Sequence, residues 1–123
     1  MAYVDGFVIA VPKKKIAAYR AIARAAGRVW RDHGCLDYKE CVGDDLGAMK
    51  GMRSFTRIAG AGPRETVVFS WITYKSKAHR NSVNGKVMKD PRMLKMMEKM
   101  KADPPFDMKK MAMAGFRVIV DNP

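Results

Sequence analysis

Between Glu65 and Tyr74 the chain is apolar at both odd and even positions: Val67, Phe69 and Trp71 alternate with Val68, Ser70 and Ile72. β-Branched and aromatic residues dominate the run, which predicts a strand. Two apolar faces, in place of one wet and one dry, predict a central strand covered on both sides. Tyr3 to Val11 repeats the pattern and predicts a second buried strand. Pro12 ends it, since proline cannot donate to a ladder and suits the first turn of a helix. A helix is expected from Pro12 to His33, stopped by Gly34 in the left-handed conformation. Ile16, Tyr19, Ala23, Ala26 and Trp30 recur along it at helical spacing and form one inward stripe.

Leu36 to Val42 reads as a more polar strand and belongs at a sheet edge. Residues 43–64 hold five of the ten glycines plus Pro63, which predicts a long excursion with a short extended piece at Ser54–Arg57. After the central strand, Ser76 offers an N-cap for a helix running to about Met88, with His79, Val83 and Val87 on one stripe. Asp90 and Pro91 supply a cap and a first-turn proline for a further helix, lined on one side by Met93, Met97 and Met100. A last strand is expected from Met111 to Val120. The order β-α-β-β-α-β is that of a ferredoxin-like α+β fold, with an antiparallel sheet ordered 4-1-3-2 and helices on one face. Three strands apolar on both sides then leave the other face bare, and no remaining segment is large enough to cover it. A second copy is expected there, giving an isologous homodimer.

Length and composition narrow the class. With 123 residues, 48% of them apolar, one globular domain spans residues 1–123. No apolar run approaches the roughly 20 residues of a membrane span. The N-terminal segment carries Asp5 where a secretory signal carries bases, so a cytoplasmic protein with no membrane partner is expected. Cys35 and Cys41, on one extended segment, would stand about 20 Å apart at ~3.3 Å per residue, too far for a disulfide. They are expected to be reduced packing residues. The unusual quantity is charge: 24 basic against 12 acidic residues, net +12. Arg20, Arg24, Arg28 and Arg31 form a second stripe on the first helix, with no run of acids one turn away to neutralise it. The stripe is either a solvated face or a phosphate-facing one.

Tyr3–Phe7, Val11–Lys15, Glu40–Asp45, Phe69–Trp71, Tyr74–Arg80, Val87–Arg92 and Pro105–Asp107 resemble the uncharacterised YbaA-like family, over nearly the whole chain. The resemblance implies a dimeric α+β barrel and carries no activity with it. The wider superfamily includes cofactor-independent monooxygenases, haem-dependent enzymes and small-molecule binders, and fold alone does not choose among them. The segment Leu46–Met52 matches no function of the family.

Candidate chemistry lies in polar residues set into apolar patterns. Asp5 sits among Tyr3, Phe7 and Ile9, and Arg117 falls in the strand expected beside it, so either an Asp5–Arg117 pair or a pocket acid is expected. His79 is in the first turn of its helix, on the inward stripe. With Glu40 or Asp107 to orient it, His79 could serve as a general base; otherwise it is a hydrogen-bonded core histidine. His33, near a helix end, reads as a cap or surface residue. Trp71 and Trp30 are expected between sheet and helix, as core or pocket wall, and Met88, Met93, Met97 and Met100 as gap-filling core. No HExxH, GxSxG, GxGxxG or phosphate-binding loop is present, and neither a metal nor another cofactor is expected. The leading expectation is a small-molecule pocket protein or cofactor-independent enzyme, with His79 as base and Asp5, Glu40, Trp71 and Asp107 as ligand contacts. The alternatives are sequence-independent nucleic-acid binding through Arg20, Arg24, Arg28 and Arg31, and a structural dimer without a ligand.

Overall fold

The computed structural model describes all residues, Met1–Pro123. β1 (Tyr3–Pro12) runs antiparallel between β3 (Glu65–Tyr74) and β4 (Met111–Arg117), and β2 (Asp37–Val42) pairs with the far side of β3. The resulting order, β2-β3-β1-β4, is the ferredoxin-like order anticipated from the pattern, with β2 at an edge. Pro12 is a strand residue and not a helical one. It stays opposite Glu65, and Lys13 N–H donates to Arg64 at 2.9 Å, so the ladder outlasts the proline by one step. Lys13–Lys15 make a 3-10 turn before α1 (Ile16–Asp32) begins. Gly34, at φ 104°, then reverses the chain in the left-handed region, as expected.

α1, α3 (Lys77–Lys89) and α4 (Pro91–Ala102) share one sheet face. Ala26 and Val29 of α1, Val83 and Val87 of α3 and Met93 of α4 close over Ile72 and Tyr74. Farther along, Tyr19 and Ala23 meet Ile9, Val11, Val68 and Phe106. Val83 and Val87 are 1% and 0% exposed, and each such side chain contributes about 1.5–3 kcal/mol relative to remaining in water. Asp90 joins α3 to α4. It ends the first, and its carboxylate accepts the Arg92 N–H at 2.9 Å to start the second behind Pro91. The inward methionines of α4 are Met93, Met96 and Met100, not Met97, which is 47% exposed. Steps of four-then-three and three-then-four are both helical, and only packing separates them. Met88, 45% exposed, likewise stands outside the core.

The opposite sheet face is only partly bare. Ser54–Arg57 is not extended: Ser54 Oγ accepts the Arg57 N–H at 3.1 Å, and Gly60 at φ 63° closes the other end of α2 (Phe55–Ala59). Caps at both ends win over the short β-like alternation. α2 lies across β1 and β3 on this second face, where Ala10 and Val67 are buried. The excursion does therefore supply a partial cover, which the pattern alone did not reveal. On the same face Phe69, packed against Phe55 of α2 with centroids 5.7 Å apart, and Phe116 remain 44% and 57% exposed. β4 ends at Arg117, short of Val120, because its partner β1 begins at Tyr3 and little strand lies opposite the remainder.

Candidate functional site

Tyr38 and Glu40 are two residues apart on β2, so both face α1. Tyr19 comes to the same place from the buried stripe of α1. Its phenol donates to Glu40 Oε1 at 2.7 Å, while the Tyr38 phenol donates to Oε2 at 2.8 Å. Both phenols are held well above the ordinary value of 10.0, first by burial and then by the Glu40 charge. They therefore remain protonated donors, and the three side chains form a hydrogen-bonded bar between helix and edge strand. Gly27 makes room for it: a Cβ there would stand 2.8 Å from Cδ1 of Tyr38. Trp30, one turn on, packs against the Tyr38 ring with centroids 6.1 Å apart.

Two spaces flank this bar. On the inner side, between the sheet and α1 and α4, lies an apolar cavity of about 170 Å³ lined by Phe7, Ile9, Trp30, Met93, Met96 and Met100. On the outer side, between α1 and β2, is an open trough of about 710 Å³. Its floor is Ile16, Ala23, Val42 and Val68, and Arg20, Arg24, Arg28 and Arg31 stand along its helical wall. Tyr19, Ala23, Tyr38 and Glu40 border both spaces. The arginine stripe is thus a wall of a concavity and not a free helix face. Arg31 is committed, donating to the carbonyls of Cys35 at 2.8 Å and Leu36. Arg20, Arg24 and Arg28 have no hydrogen-bond or ion-pair partner.

A second polar cluster lies under α3. Asp5, 1% exposed, accepts from Arg80 Nη1 at 3.2 Å, and Arg80 also caps the Tyr3 ring at 5.0 Å. Asn84 Oδ1 accepts from the Trp30 indole and the Tyr74 phenol, each at 3.0 Å. Burial first, then the Asp5 charge, pushes the Tyr74 phenol upward. The expected Asp5–Arg117 pair does not form. Arg117 is opposite Tyr3, and Gly115 is opposite Asp5. The guanidinium that neutralises Asp5 comes from a helix, which strand adjacency could not indicate.

The remaining candidates are dispersed. His79 Nδ1 accepts the Lys75 N–H at 2.9 Å and its ring stands edge-on to Tyr74, far in the fold from Glu40 and Asp107 as partners. Its own N–H is capped by Ser76 Oγ at 3.0 Å. Asp107 starts the 3-10 turn Met108–Lys110 by accepting the Lys109 N–H at 3.0 Å. His33 is tied to Asp90, Nε2 to Oδ2, at 2.8 Å. The Trp71 ring is on the second sheet face against Phe69, 5.6 Å between centroids, and not between sheet and helix as expected, although Trp71 still borders the inner cavity from β3. Cys35 and Cys41 are both free thiols. No three His, Cys, Asp or Glu side chains are grouped to hold a metal. The sequence marks Tyr19 only as part of an inward stripe, and does not single out Tyr38, Arg80 or Asn84. The nearest signals were Tyr38 and Glu40 on one strand face and Arg80–Asn84 at helical spacing.

With this geometry in hand, the comparisons with known proteins bear on fold and family. YbaA of Escherichia coli K12, an uncharacterised protein, is 44% identical over 122 residues, covering 99% of this chain and 100% of its own. Among solved structures, SnoaB from Streptomyces nogalater, a cofactor-independent oxygenase, aligns over 99% of this chain and 97% of its own at 11% identity and a TM-score of 0.59. A dimeric ferredoxin-like protein of unknown function from Jannaschia aligns over 94% of this chain and 99% of its own at 10% identity and a TM-score of 0.58. The structural likenesses show the ferredoxin-like α+β fold alone. Residues 2–114 match the family described as "Protein of unknown function (DUF1428)", and the chain belongs to that family.

Proposed function

We propose that this protein binds a small, largely apolar molecule in the methionine-lined cavity between sheet and helices, with Glu40 as the polar end of its wall. The observation that carries this is a cavity of about 170 Å³ whose apolar wall ends on a carboxylate held by two phenols. Methionine side chains adapt to a ligand's shape, and a few placed polar groups fix its orientation. SnoaB, described as a cofactor-independent oxygenase, has the same fold. His79 is not in the cavity wall, and this reading gives it no role as base.

The same reading includes a homodimer and a cytoplasmic setting. Phe69 and Phe116 on the second sheet face, with Phe55 and Ile58 of α2, make an exposed apolar surface suited to a second copy. The two unbridged thiols are in keeping with a reducing compartment. Methyl NMR of the methionines during titration with octanoate tests the cavity. Resonances of Met93, Met96 and Met100 are expected to move while Met49, Met52 and Met108, all exposed, stay still. Movement confined to the exposed methionines would sink the proposal. The second reading, nucleic-acid binding, is favoured by one observation, the three uncommitted guanidiniums of Arg20, Arg24 and Arg28. It requires affinity that falls steeply with salt.

A further inference from the structure

The two spaces on either side of the Tyr19–Glu40–Tyr38 bar differ in chemistry, and that difference narrows the ligand. The inner cavity is apolar. The outer trough has an apolar floor and a cationic wall. Charges on that wall are not internally balanced. Asp32, the trough's other acid, is bonded to Arg92 at 2.7 Å, and both oxygens of Glu40 are occupied by phenols. Arg31 is bound to backbone carbonyls. Arg20, Arg24 and Arg28 alone are uncommitted, and they follow one another at about 6 Å per four residues of helix, so an anion between two neighbours can be reached by both. Such uncompensated guanidiniums beside apolar surface suit a ligand carrying both characters.

We infer that the ligand is a small amphipathic anion, with its apolar body in the methionine-lined cavity and its carboxylate or phosphate head among Arg20, Arg24 and Arg28. The inference rests on the cavity reading above and adds the head group and its site. Tyr19, Ala23, Tyr38 and Glu40 border both spaces, so a single layer of side chains separates cavity from trough, and a ligand that reaches both displaces a phenol from Glu40. The anionic Glu40 repels a like-charged head and directs it outward to the arginines. A nucleic-acid backbone would use the arginines but gain nothing from a floor of Ile16, Ala23, Val42 and Val68. That apolar floor favours the amphipath.

The test is isothermal titration of octanoate, octan-1-ol and a thymidine oligonucleotide into the wild-type protein and the double variant Arg20→Gln/Arg24→Gln. Both arginines are exposed and unpaired, so the variant is expected to fold, which circular dichroism checks. Octanoate is expected to bind wild type at least about tenfold tighter than octan-1-ol, the size of one charge-assisted contact. The double variant should lose that preference and keep its affinity for octan-1-ol. Equal affinities for acid and alcohol, unaffected by the substitutions, would overturn the head-group assignment and leave the cavity reading standing. Absence of binding by either amphipath, with methionine methyls unmoved, would remove the cavity reading and this inference together. Loss of oligonucleotide binding in the variant, with octanoate unaffected, would make the trough a phosphodiester site and refute the amphipath.

Discussion

Glu40 belongs to an exposed edge strand, yet both of its oxygens are taken by phenols from two different elements. Because burial and the Glu40 charge raise the pKa of Tyr19 and Tyr38 above 10.0, their contribution to stability is complete below that pH. It is lost as pH climbs from about 10 toward the higher folded values. Alkaline unfolding is therefore expected to begin near pH 10 in the wild type and to be less steep in the Tyr38→Phe variant. Coincident alkaline limbs in denaturant melts would contradict the assignment. Gly27 is the other residue with a defined job. Alanine would gain about 1 kcal/mol in helix propensity. It would also press a Cβ to 2.8 Å from a Tyr38 ring fixed by Trp30 and Glu40, and overpacking costs about 1–3 kcal/mol. Gly27→Ala is expected to destabilise on balance and to shift the tyrosine fluorescence; a more stable variant would show that the bar yields. At this scale the sequence showed Asp5 and Glu40 as misfits in apolar patterns but not their partners. A partner such as Arg80 is set by how α3 docks on the sheet, and no spacing along the chain encodes that.

Elements were more legible, because periodicity and capping are local. The two long strands, the inward stripe of α1, the Ser76 cap and the Asp90–Pro91 start of α4 are all legible in the sequence alone. Two neighbouring choices were not. The α2 segment offers five residues, too few for period 2 and period 3.6 to separate. The inward methionines of α4 depend on which face meets the sheet. Asp90 joins two helices and holds His33 and Arg92, and these bonds keep its carboxyl well below the usual carboxylate range, Arg92 foremost and His33 next. A depressed acid stabilises the fold above its unfolded value of 3.8 and loses that contribution as pH falls below it. Asp90→Ala is expected to lower Tm at neutral pH and to flatten the acid limb below pH 4. An unchanged acid limb would mean that other carboxylates control it.

At the scale of the whole molecule, both faces of the central strands are apolar, and that double burial is legible in the sequence. α2 covers one end of the second face, leaving Phe69 of β3 and Phe116 of the edge strand β4 half-exposed on it. If a second copy completes that face, Phe116→Asp is expected to convert a dimer into a monomer in analytical ultracentrifugation while the helical signal is kept; a dimer surviving the substitution would place the interface elsewhere. The candidate pocket was the least legible feature. Cavity, bar and trough arise from the standing-off of α1 from β2, a relation between elements that their separate patterns do not carry.

Native mass spectrometry of the protein purified without added ligand, at moderate salt, reports subunit number and bound mass together. A dimer carrying one discrete small adduct per subunit, lost from a Met96→Trp variant that fills the cavity, is the expected result. A dimer whose only bound mass is heterogeneous oligonucleotide, stripped as salt rises and indifferent to Met96→Trp, would contradict it.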